Sequence, residues 1–138
     1  MDINTLLEHA AGVIRALPEM AALPVIEVHK GNLFNKLQTA VAKTRYAVLV
    51  GWNGFRARSN SSKTIVGDTN LVIEVWEKPV VDGELKLLPT ARLIANAVNL
   101  SQPPGQSPIV FREISSVMEP SPGVISCNVT FAVSNSTL

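Results

Sequence analysis

Apolar residues recur at helical spacing from the first turn of the chain: Ile3, Leu6, Leu7, Ala10, Val13, Ile14 and Leu17. That periodicity predicts an amphipathic helix over residues 3–17, with Asp2 as N-cap and Pro18 as stop. After the linker EMAALP, the stretch VIEVH (25–29) alternates as a short strand does. Asn32 is placed to cap a second helix running to Lys43, with Leu33, Leu37 and Val41 on one face. RYAVLVGW (45–52) reads as a buried strand, and GFRARSNSSKT (54–64) as a polar hairpin loop or arm. In TNLVIEVWEK (69–78), Leu71, Ile73 and Val75 face one way, and Val72, Glu74 and Trp76 the other. Pro79 and Asp82-Gly83 end that strand in a turn.

Pro89 suits the first turn of a third helix that reaches Leu100, with Leu93, Ile94, Ala97 and Val98 as its stripe. SQPPGQSP (101–108) is a stiff connection to a strand over 109–118, and EPSPG (119–123) is a turn. In the last strand (124–133), Ile125, Cys127, Val129, Phe131 and Val133 point inward and Ser126, Asn128, Thr130 and Ala132 outward; SNSTL is a frayed tail. The order α-β-α-β-β-α-β-β is dominated by hairpins. It predicts one α+β domain over residues 1–138, a mostly antiparallel sheet with helices packed on one face.

Composition narrows the chemistry. With 138 residues the chain is the size of one domain. A single cysteine, Cys127, excludes an internal disulfide framework and speaks against a cysteine-built metal site. It alternates with core residues and reads as a small buried hydrophobe. His9 and His29 belong to no spaced motif, and no H-E-x-x-H, C-x-x-C or G-x-S-x-G occurs. Gly51-Trp-Asn-Gly54 lacks the Lys-Ser/Thr and helix start of a phosphate loop. Glu74 and Glu77 lie on opposite faces of their strand, so they make no acid/base pair. No catalytic residue, no cofactor and no metal ligand is expected, and the protein is read as a non-enzyme. Asp2 and Glu8 stand where a signal peptide carries positive charge, and no run is long and apolar enough for a membrane span. The expected compartment is therefore a cytoplasm, with no membrane partner. The N-x-S/T triplets at Asn60, Asn99, Asn128 and Asn135 are then chance matches.

The net charge of +1 hides a segregated layout. Residues 1–27 carry four acids and one base, and residues 68–138 seven acids and four bases. Between them Lys30, Lys36, Lys43, Arg45, Arg56, Arg58 and Lys63 meet no acid at all. Three readings follow: charges paired within the fold, head-to-tail assembly of copies through unlike patches, or phosphate contact. Phe55 is the sole aromatic near the basic residues of the loop, which offers no stacking platform and disfavours nucleic acid as a partner. Trp52 and Trp76 are either packing residues or anchors of a subunit contact.

The layout resembles the tail terminator (tail completion) proteins of long-tailed bacteriophages. The parts that carry the resemblance are the N-terminal helix INTLLEHAAGVIRAL, the strand YAVLV and its polar loop, the strand LVIEVWEK, the Asp82-Gly83 turn, the helix TARLIANAV and the strand CNVTFAV. The sequence departs from that pattern at residues 30–44, where a basic helical segment precedes the central strand. The resemblance implies a structural virion protein, assembled in the host bacterial cytoplasm and resident in the tail. Its copies would form a ring, a hexamer, on the tail tube, ending tube polymerisation and offering a head-attachment surface. The implied partners are itself, the tail tube protein and head–tail connector proteins. Docking is expected by edge strands and opposite charge, with Phe55, Arg56, Arg58 and Lys63 in the reaching loop and Trp52 and Trp76 as anchors. A head–tail connector or neck protein, and a small nucleic-acid- or peptide-binding domain, are the alternatives.

Overall fold

The computed structural model describes residues 2–59 and 63–137. Helix α1 (Ile3–Arg15) starts where expected. The Asp2 carboxylate accepts from the Asn4 N–H at 2.9 Å and from the Thr5 hydroxyl at 3.0 Å, and these bonds, the Thr5 hydroxyl foremost, hold the Asp2 pKa below its ordinary value. A 3₁₀ turn, Pro18–Met20, leads to β1 (Val25–Glu27), shorter than its alternation suggested because Val28–Lys30 winds into a second 3₁₀ turn. Helix α2 spans Leu33–Thr44. Asn32 stands at its cap, but in the left-handed region at φ 52°, and its side chain caps nothing. Strands β2 (Tyr46–Ser59) and β3 (Val66–Glu77), helix α3 (Leu87–Val98), and strands β4 (Ile109–Ile114), β5 (Met118–Ser121) and β6 (Val124–Thr137) complete the chain.

The sheet order is β1-β2-β3-β6-β4, with β5 also paired to β6. Every pairing is antiparallel except β1 with β2. The α+β class and the mostly antiparallel sheet are as expected. The helices, however, lie on both faces. Leu6, Ala10 and Ile14 of α1 and Ala91, Ile94 and Val98 of α3 pack against Val48, Val50, Leu71, Ile73, Val75, Val129 and Phe131. Helix α2 lies against the opposite face, where Leu33, Leu37 and Val41 meet Ile26, Ala47, Leu49 and Trp76. The cause is the one parallel pair: a parallel neighbour needs a crossover, and the face holding α1 and α3 was already filled.

β3 is the centre of the sheet, and its residues alternate half-buried and buried along their whole length. Full burial of each large apolar side chain contributes about 1.5–3 kcal/mol, so the α1/α3 face dominates the stability. Cys127 sits fully buried in that core, and burial pushes its thiol pKa up, as an inert packing residue requires. Residues 134–137 are not a frayed tail but continue β6, pairing Ser136 with Gly67 and Thr137 with Val66. Glu77, 2% exposed at the end of β3, turns its carboxylate to the start of α3, where Oε1 accepts the Lys86 N–H at 2.9 Å. An anion at a helix N-terminus answers donors that the helix itself leaves unpaired. Glu77→Gln is expected to lower stability by about 1–2 kcal/mol in urea unfolding, with the fold retained.

Candidate assembly surfaces and polar clusters

The loop expected at 54–64 is largely strand. β2 runs to Ser59 and faces β3 from Val66, so the two form one long hairpin; residues 60–62 of the expected loop lie outside the described residues. Two irregularities bend β2, between Trp52 and Phe55 and between Ala57 and Ser59. Gly54, at φ 97°, sits in the first of them. Cross-strand partners share a face. Trp52 opposes Leu71 and Phe55 opposes Thr69, which puts both aromatics on the α1/α3 side, with Trp52 45% exposed beyond the helices. Trp76 opposes Ala47 on the α2 side, so the two tryptophans do not form one anchor. Trp76 is half-buried, and its Nε1 has no partner among the described residues.

The basic residues of the hairpin separate in the same way. Arg56 and Lys63 are exposed. Arg58 instead donates to Asp68 Oδ1 at 2.7 Å and to Asn135 Oδ1 at 2.9 Å, tying β2, β3 and the end of β6 together. Both groups of the Arg58–Asp68 pair reach solvent, so its energy is small and its effect is to set geometry. Lys36 and Lys43 of α2 stand with Arg15 and Lys30 along a cleft of about 620 Å³ between α2 and β1. At the other end of the sheet the exposed acids are Glu113 on β4 and Glu119 on β5. Arg112, next to Glu113 on β4, is exposed as well, so that end carries both signs.

On both terminal strands other parts of this chain bond to the outer edge. Arg15 Nη2 donates to the Val25 carbonyl on β1 at 2.8 Å. On β4, Ile109 exchanges bonds with Ser101 (2.8 Å) and Leu100 (2.6 Å), and the Phe111 N–H donates to Asn99 Oδ1 at 3.0 Å. Among the described residues, stretches with a strand on one side only include β2 from Trp52 onward, because β1 pairs no further than Val50, and β5, which pairs only β6.

Two histidines and their neighbours complete the polar inventory. His9 Nε2 lies 3.2 Å from Ser101 Oγ, but that hydroxyl donates to the Val98 carbonyl at 2.7 Å, so it is not held as an activated nucleophile. Burial lowers the His9 pKa. Glu27, with 3% of its side chain exposed, receives Arg15 at 3.0 Å and Lys30 at 3.2 Å on Oε2. Burial alone would raise its pKa, but these two cations outweigh that and hold it below the ordinary glutamate range. His29 Nε2 stands 3.7 Å from Glu8 Oε1 and 4.0 Å from Glu27 Oε1. Glu74 belongs to no such cluster. Among the described residues no helix is long and apolar enough to cross a membrane.

No protein-family model matches the chain, and no curated protein matches it. Solved structures do. A chain of the virion of a native gene transfer agent particle superposes with a TM-score of 0.66 at 13% identity, over 93% of this chain and 92% of that one. A second solved structure, whose name states no function, superposes with a TM-score of 0.61 at 11% identity, over 99% of this chain and 96% of that one. At such identities the likeness is one of fold, and it extends over the whole domain in both cases.

Two outcomes test this geometry. Gly67 lies so close to β2 that an added Cβ would run into the Arg56 carbonyl oxygen and the Ala57 backbone. Gly67→Ala should cost about 1–3 kcal/mol and loosen the hairpin, read as faster amide exchange in β2 beyond Trp52. The second is a pH profile. Below about pH 6.5 an unfolded His9 takes a proton that the folded site resists, so stability begins to fall there. Glu27 adds stability that is present above the ordinary glutamate range and is lost as pH drops below it. Glu27→Gln should weaken the lower step, to which Asp2 also contributes, and leave the upper one, in thermal melts between pH 3 and 8.

Proposed function

We propose that this chain is a structural protein of a phage-like virion, a tail terminator whose copies close into a hexameric ring on the tail tube. The ring would end tube polymerisation by occupying the growing end and would give the head side a docking surface. The observation that carries this reading is the whole-domain likeness to a chain of a gene transfer agent virion, over 92% of that chain. The motif order quoted above for tail terminators agrees with it. The reading places the protein in the tail of the particle and assigns it no catalysis.

The surface chemistry supports ring closure. A basic cleft at the β1 end and exposed acids at the β4/β5 end suit a heterologous contact, in which one end of a copy meets the other end of the next. The hairpin bearing Phe55, Arg56 and Lys63, with Trp52 at its base, would reach the neighbouring subunit or the tube, while Arg58 stiffens it from within. Exposed charge attraction is screened by salt.

Light scattering joined to negative-stain imaging tests the proposal. The expected result is a ring whose population falls as salt rises, and which binds purified tail tubes. Lys36→Glu with Lys43→Glu should weaken the ring, and Glu113→Lys with Glu119→Lys, mixed with that variant, should restore it. A monomer at every salt and protein concentration, with no attachment to tubes, overturns the reading. Attachment to portal-side protein instead of tube would assign the chain to the neck.

A further inference from the structure

Three groups from three separate elements converge beside α1. Glu8 projects from α1, Glu27 from β1 and His29 from the 3₁₀ turn that follows β1. Glu8 Oε1, Glu27 Oε1 and His29 Nε2 all lie within 4.8 Å of one another. A second observation sets this cluster apart from a solvated group of charges. Glu27 Oε1 and His29 Nε2 are buried and have no hydrogen-bond partner among the described residues, and the Glu27 side chain is only 3% exposed. A buried polar atom left unpaired costs about 1–3 kcal/mol, so two that stand 4.0 Å apart call for an occupant.

From this geometry we propose a divalent transition-metal site of the zinc class, with Glu8, Glu27 and His29 as protein ligands. One imidazole nitrogen and two carboxylate oxygens form a donor set that suits zinc better than magnesium or calcium, which take six or more oxygens. Zinc bonds of about 2.0–2.2 Å put tetrahedral ligand atoms roughly 3.4 Å apart, and the atoms here all lie within 4.8 Å of one another, so the cluster must contract by about 1.4 Å at most. Glu8, with 56% of its side chain exposed, is free to supply that movement. Glu27 is already oriented for the role. Arg15 and Lys30 hold Oε2, which turns Oε1 toward His29, as outer hydrogen bonds orient metal-bound carboxylates elsewhere. Lys30 is half-exposed and also repels an arriving cation, so it opposes the metal while Arg15 positions the ligand. The bound ion would clip α1 to the β1 turn. The site is independent of the ring proposal and adds no reaction.

The probe is zinc chloride added to the full chain, read by thermal melting, with cobalt(II) absorbance as the coordination signature. Zinc should raise the melting temperature by an amount that grows with the logarithm of its concentration. Cobalt should give the intense visible bands of a four-coordinate ion. Glu8→Gln and His29→Asn should each abolish both responses. His9→Asn should keep them, which separates the site from the other histidine. Glu8 is a surface position, so that variant reads the site even if changes at His29 or Glu27 disturb folding. No zinc response, an equal response to magnesium, or a response surviving in Glu8→Gln would each overturn the assignment.

Discussion

Everything in this fold is referred to β3. It is paired along nearly its full length on both sides, with β2 and with β6, and its side chains alternate between two chemically different faces. A slip of one residue in either pairing would turn Leu71, Ile73 and Val75 out of the main core and put Val72, Glu74 and Trp76 into it. That cost makes the register single-valued. It fixes the height at which Glu77 meets the start of α3, and it places Trp76 under α2. The elements on both faces of the sheet are therefore placed by its central strand.

The strands and helices that obey one simple period were legible in the sequence. The α1 stripe, the β3 alternation and the inward set of β6 could be read residue by residue, because each presents a regular apolar face to the main core; Ser126 and Ala132 of β6, read as outward, are nevertheless buried. Helix α2 was legible as a helix but not as to its face. Its position follows from a parallel β1–β2 pair that no local pattern announces, since three residues of strand carry no direction. The hairpin arm failed as a loop for a related reason. GFRARS is polar because β2 has lost its outer neighbour there, and polarity at a sheet edge reads the same as polarity in a loop. The frayed tail failed likewise: Asn135 adopts φ 55° and Ser136 turns inward, a bend that alternation does not encode.

The polar clusters lie at the limit of what a sequence can say. Glu8 and His29 are 21 positions apart and sit on different elements, so no spacing motif links them. Glu27 lies within a short alternating strand and is almost wholly buried beneath Arg15 and Lys30. The sole signal was the position of a carboxylate between Ile26 and Val28 in an apolar run, which a reading by alternation assigns to solvent. The basic middle of the chain was visible, but its division into paired residues (Lys30, Arg58) and exposed ones (Lys36, Lys43, Arg56, Lys63) is a property of the fold alone.

Covered edges bear directly on how copies of such a protein can associate. Open terminal strands would let any two copies pair through backbone bonds with little regard for side chains, and chains of subunits would grow without closing. Here Arg15 occupies β1, and the Leu100–Ser101 backbone and Asn99 occupy β4. A contact made there would fall to side chains, and exposed charge attraction is weak and salt-sensitive. Along β2 beyond Trp52, which has a strand on one side only, the two bends and Arg56 interrupt a flat edge. A contact made at that segment would have to match the bends, which limits it to partners of complementary shape and leaves indiscriminate strand pairing disfavoured.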